Sequence, residues 1–97
     1  MAVAVFLQWD GFTQEQYDKA RALVPFDRVT AAGGLFHVAA FDERGIRVTD
    51  IWQSAEQFQA YLANHLAPAF GQLGIAGQPE VAILPVHALE TPGFTGR

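Results

Sequence analysis

The 97-residue, 10.6 kDa chain is 51% apolar and only 16% charged, with ten Asp+Glu against six Lys+Arg for a net charge of −4. Its length fits one domain with a real core, and a charged fraction below the roughly 25% of typical soluble chains fits a surface held against a second copy of itself. The acidic balance excludes a basic nucleic-acid or anionic-membrane surface. The absence of cysteine excludes disulfides, zinc–thiolate sites, iron–sulfur clusters and thiol nucleophiles.

Val3 to Trp9 is rich in Val, Phe and Leu and predicts a first strand. It is too short for a secretory signal, and no run reaches the ~18 apolar residues of a membrane span, so the expected location is cytoplasmic. Asp10-Gly11 is a turn. Thr13 caps a helix, Gln16 completes a capping box, and Phe12 and Tyr17 stand at staple positions. Tyr17, Ala20, Leu23 and Val24 form its apolar stripe, and Pro25 ends it. Residues 27–34 are expected to form a loop ending in Gly33-Gly34.

Leu35 to Phe41 and Ile46 to Gln53 predict a hairpin around Asp42-Glu43-Arg44-Gly45. Ser54 caps a second helix whose stripe is Phe58, Leu62, His65, Leu66, Ala69 and Phe70, with Pro68 expected to bend or break it. Gly71–Pro79 reads as a loop and Val81 to Ala88 as the fourth strand. Residues 1–89 make the domain, and 90–97 form an extended tail. The order βαββαβ predicts an α+β, ferredoxin-like fold: a four-stranded antiparallel sheet with both helices on one face. The other face needs a cover, and a homodimer through it is the expected partner arrangement.

Pairing Phe41 with Ile46 sets Ala39 opposite Val48, His37 opposite Asp50 and Leu35 opposite Trp52, all on one side of the hairpin. A His–Asp pair among Phe41, Val48 and Trp52 reads either as a satisfied cross-strand pair or as part of a pocket wall. In the second case Asp50 fixes the tautomer of His37 and leaves its other nitrogen as a proton acceptor. Trp52 is core or a flat pocket wall with one N–H donor. His65, on the helix stripe, is expected to point at the same place or to pack there. A ligand site calls for a cavity of roughly 300 Å³ or more, whereas a filled core with His37 bonded to Asp50 alone marks a structural pair.

No cofactor is assigned. His37, Asp50 and His65 formally make a two-histidine, one-carboxylate set and His65 a haem ligand, but no HxH or HExxH spacing supports either. The one serine, Ser54, is a cap, which removes Ser-His-Asp chemistry. No glycine-rich phosphate motif occurs.

The run Gly34–Asp42 and the pattern Asp50-x-Trp52-x-Ser54-x-Glu56-x-Phe58 resemble the dimeric α/β-barrel superfamily that contains antibiotic-biosynthesis-monooxygenase-like proteins. Leu66-Ala67-Pro68, Gly74 and the Pro79–His87 segment are similar to its small bacterial members. The resemblance implies a homodimer built on the uncovered sheet faces, with a pocket in each subunit lined at positions Trp52 and Phe58. It also implies a small aromatic or polyketide-like ligand handled without metal or flavin. Val48 stands where cofactor-free and haem-degrading members tend to carry asparagine, and Leu62 where the haem-degrading type carries its helix histidine. The expected activity is general-base chemistry (isomerisation, cyclisation or cofactor-free oxygenation). His37 is the base, Asp50 orients it, His65 is a polar contact, and Trp52, Phe58, Phe41, Val48 and Leu62 are walls. The alternative is a non-catalytic ligand-binding or stress-related dimer.

Overall fold

The computed structural model describes residues 1–94. Its elements are β1 (Val3–Asp10), α1 (Gln14–Leu23), α2 (Phe26–Ala32), β2 (Gly34–Phe41), β3 (Gly45–Trp52), α3 (Ala55–Tyr61), a π-helical turn (Leu62–Leu66), α4 (Ala67–Gln72) and β4 (Glu80–Pro85). The strands form one antiparallel sheet in the order β2-β3-β1-β4. Val3, Val5, Trp9, Ile46 and Trp52 point to one side, where they are buried with Ala20, Val24, Phe58, Tyr61 and Ala69 of the helices. This is the ferredoxin-like α+β arrangement. Among the described residues no helix is long and apolar enough to cross a membrane.

The caps follow the sequence. Thr13 Oγ1 accepts from the Gln16 amide at 3.1 Å while the Gln16 side chain accepts from the Thr13 amide at 3.0 Å. Ser54 Oγ accepts from the Gln57 amide. The expected loop at 27–34 is instead α2 followed by the start of β2. Pro25 is extended and precedes the first turn of α2, so it opens this helix as well as closing α1. Gly33 ends α2 with a left-handed φ of 112°.

The register His37↔Asp50, Ala39↔Val48 and Phe41↔Ile46 is observed, but Trp52 pairs with Gly34 rather than Leu35. A bulge between Gly34 and Phe36 absorbs the extra residue and turns Leu35 out to solvent. At the tip, Asp42 Oδ1 accepts the amides of Arg44 and Gly45. Gly45 has φ +153°, and an ideal Cβ there would collide with the Trp9 carbonyl.

Pro68 does not break the second helical segment. The Ala67 amide reaches back five residues to the Leu62 carbonyl, and Pro68 lies in the first turn of α4 beyond this wide turn. The fourth strand stops at Pro85, which has no N–H for the ladder, and the Val86 amide makes a last bond to the Ala2 carbonyl. His87 therefore lies past the strand, exposed. On the outer sheet face Phe6, Val38 and Leu84 remain exposed. The tail is not simply extended: Phe94 packs against Phe36 with ring centroids 6.2 Å apart, while residues 95–97 of the expected tail lie outside the described residues.

Candidate functional site

Between the inner sheet face and the helices lies a cavity of about 100 Å³, walled almost wholly by apolar side chains. A cavity of about 150 Å³ holds one benzene ring, and drug-sized ligands need roughly 300–1,000 Å³. At about 100 Å³ this cavity falls below both figures, so even a single small ring enters only as the wall side chains move outward. The core is neither filled nor opened to the roughly 300 Å³ that marks a ligand site.

One connected polar chain crosses this apolar wall. His37 and Asp50 are direct cross-strand partners, both turned inward, and His37 Nδ1 lies 2.6 Å from Asp50 Oδ1. Trp52, two residues further along β3 and hence on the same face, donates its indole N–H to Asp50 Oδ2 at 3.2 Å. On the other side of the imidazole, Nε2 lies 2.7 Å from the Tyr17 hydroxyl. Arg21, one turn after Tyr17 on α1, donates to that hydroxyl at 2.6 Å.

Donor chemistry orders the chain. An ionised carboxylate only accepts, so the Nδ1 proton of His37 points at Asp50. The Tyr17 oxygen already accepts from Arg21, so its own proton is directed to Nε2. We assign His37 as the Nδ1–H tautomer on this network. Hydrogen bonds then run from Arg21 through Tyr17 and His37 to Asp50, where the Trp52 bond also ends. Asp50 is 8% exposed, and each of its oxygens has a donor.

The structure brings together five of the eight site residues expected from the sequence: His37, Asp50, Trp52, Phe58 and Val48 line the cavity. The other three stand elsewhere. Phe41 meets the edge of Tyr17 at 6.2 Å and joins the Trp9–Phe12–Ile46 cluster. Leu62 packs on the core outside the cavity, where Leu66 takes the wall position. His65 is exposed, its ring 5.0 Å from that of Tyr61. The π turn explains the displacement of His65, while Leu62 is turned aside by α3 itself, which buries Phe58 and Tyr61. The inward step from Tyr61 falls on the fifth residue, Leu66, instead of the fourth, His65.

With His65 outside, His37 and Asp50 lack a third ligand, and among the described residues no group of three metal-ligating side chains exists. A haem does not fit either, because the cavity is too small and the helix histidine faces away from it.

Three cavity residues with polar side chains, Tyr17, Arg21 and Tyr61, escaped the sequence reading. Tyr17 was assigned to the staple, although a tyrosine with Arg four residues later is also a hydroxyl with a ready donor. Tyr61 lies off the stripe drawn at α-helical spacing. It is 3% exposed, packs against Trp52 at 5.4 Å, and its hydroxyl has no hydrogen-bond partner among the described residues. Burial pushes its phenol pKa up, against a smaller opposing pull from Arg28 and Arg21.

No protein-family model and no curated protein matches the sequence. Solved structures do match along nearly the whole length. A protein of unknown function from Nitrosomonas europaea, NE2512, superposes with a TM-score of 0.70 at 18% identity, covering 96% of both chains. SnoaB, a cofactor-independent oxygenase from Streptomyces nogalater, gives 0.55 at 16% identity over 96% of this chain and 97% of its own. The monooxygenase of the ActVA-Orf6 gene of Streptomyces coelicolor, solved with nanaomycin D, gives 0.51 at 14% identity over 93% and 91%. The chain shares the ferredoxin-like fold of these solved structures.

Proposed function

We propose that the protein binds a small, single-ring molecule in this cavity and moves a proton at it through Tyr17, His37 and Asp50. The observation that carries this is the unbroken polar chain set in an otherwise apolar wall. His37 acts through Tyr17 rather than directly, because Nε2 is already occupied by the phenol. As the Tyr17 proton passes to Nε2, Asp50 holds the resulting imidazolium and Arg21 stabilises the developing phenolate. The phenolate oxygen then takes a proton from the ligand, one proton entering the chain as another moves along it. Such general-base assistance contributes about 10²–10⁴-fold, and the product is a carbanion or enolate ready for isomerisation, cyclisation or reaction with dioxygen. Likeness of fold to SnoaB and the ActVA-Orf6 monooxygenase supports this class.

Deuterium exchange at the α-carbons of cyclohexanone, followed by NMR in D2O, tests the chemistry. The wild type should exceed the buffer rate, and Tyr17→Phe and His37→Ala should fall to it. A wild-type rate equal to buffer would remove the catalytic half. A non-catalytic binding module would then remain, which the small volume and the mutually satisfied polar chain favour. The exposed Phe6, Val38 and Leu84 on one sheet face support a homodimer joined there, testable by light-scattering mass.

A further inference from the structure

The outer sheet face is shielded at one end. Phe36 of β2, Ile51 of β3, Ala4 of β1 and Leu84 of β4 stand side by side there. In the next row Val38, Thr49, Phe6 and Ala82 are all exposed. In the end row Ile51 is only 7% exposed and Phe36 and Ala4 are half-buried, although the helices pack on the opposite face. The chain beyond β4 supplies the shield. Among the described residues, its last main-chain bond to the sheet runs from the Val86 amide to the Ala2 carbonyl, at the β4 edge. Phe94 then lies on Phe36 of β2, the opposite edge strand, with ring centroids 6.2 Å apart. The segment thus runs from one edge of the sheet to the other, about 14 Å for three strand spacings, well within its reach. It closes in a turn at Pro92-Gly93, where the Phe94 amide donates to the Thr91 carbonyl. The hold is light: Phe94 remains 54% exposed.

We infer that the segment after β4 is a displaceable strap that competes with a second copy of the chain for the outer sheet face. The inference rests on the homodimer of the proposed function and adds what controls it. Two sheets packed face to face stand about 10 Å apart, with the side chains of both faces interdigitated between them. A ring lying on Phe36 occupies that layer, in the row of Leu84 and next to Val38. It has to lift before the partner's sheet can seat. Lifting it gives up one aromatic pair in each copy, which weakens association by about fivefold per copy and about twenty-five-fold per dimer.

Sedimentation equilibrium of the wild type, Phe94→Ala and Leu84→Glu tests the strap, together with NMR of the wild type across a dilution series. Phe94→Ala removes the anchor from an exposed position and should tighten the dimer about twenty-five-fold, or form one where the wild type stays monomeric. A nuclear Overhauser contact between Phe36 and Phe94 should be present in the dilute monomer and vanish as the dimer forms. Leu84→Glu should disrupt the dimer. An unchanged dissociation constant in Phe94→Ala, with Leu84→Glu still disruptive, overturns the strap and leaves the homodimer standing. A dimer weakened by Phe94→Ala also overturns it, by making the ring part of the interface, as does a Phe36–Phe94 contact within one chain that persists in the dimer. If Leu84→Glu has no effect, or the wild type and Phe94→Ala are both monomeric at millimolar concentration, the strap falls together with the homodimer on that face.

Discussion

Asp50→Asn tests the polar chain at its anchor. The two side chains are isosteric, so no cavity is created and the effect is one of hydrogen bonding. Asp50 now accepts from His37 at 2.6 Å and from Trp52 at 3.2 Å. An asparagine has one acceptor oxygen for these two donors. The indole can only donate, so it keeps the oxygen, and the amide NH2 faces His37 Nδ1. His37 must then shift its proton to Nε2, which turns an N–H towards a Tyr17 oxygen already taken by Arg21, and the phenol proton loses its acceptor. Loss of a charge-assisted bond of this kind costs about 1.5–3 kcal/mol. A domain of this size is stable by about 5–15 kcal/mol, so the variant should fold. Its melting point should drop by about 8–16 °C for a loss near 2 kcal/mol. Side-chain 15N NMR should show the Nδ1–H tautomer in the wild type and the Nε2–H tautomer in the variant. An unchanged melting point with the original tautomer would refute the proton directions assigned here.

Gly45→Ala should destabilise by at least about 2 kcal/mol, because φ +153° disfavours a side chain and the new Cβ meets the Trp9 carbonyl; a shifted urea midpoint checks it. Acid should loosen the hairpin tip. The Arg44 and Gly45 amides and Arg47 hold the Asp42 carboxyl below its ordinary range, and Arg44 does the same for Asp10. Folded values below the unfolded ones mean stability present above the ordinary aspartate range and lost as pH falls through the depressed values. The Arg44 and Gly45 amide resonances should therefore titrate below that range; a normal midpoint would contradict it. Leu84→Glu, on the exposed sheet face, should halve the mass measured by light scattering if that face joins two copies, and leave it unchanged otherwise.

The pairing of the hairpin strands and the set of residues sharing one of its faces were legible because a period-2 pattern and a short turn leave little choice of register. His37, Asp50 and Trp52 came together for that reason. The Thr13–Gln16 capping box marked α1 and the Ser54 cap marked α3, through local chemistry that survives folding. The second helix, α2, was missed because Pro25 was taken only as an end, although Phe26, Val29 and Ala32 recur at helical spacing. Leu35 was misplaced because a bulge adds one residue without a distinctive sequence mark. The π turn caused the larger error. An α-helical count put His65 inside and left Tyr61 unnoticed, and Pro68 was the sole hint that hydrogen bonding upstream of it was irregular. The partnership of Tyr17 with His37 was not legible at all, since it depends on how α1 docks across the sheet.

That wide turn also sets how this chain tolerates a change of length. Removing one residue between Leu62 and Leu66 would restore ordinary α-helical winding, and the side chains beyond the deletion would keep their facing because the wide turn already absorbs that one extra residue. A deletion of Leu66 would make the fourth residue after Tyr61, His65, the inward one. One lost codon could thus exchange an aliphatic wall for an imidazole while leaving the sheet untouched, so in relatives of this fold helix length is as informative as residue identity about what the hollow can hold.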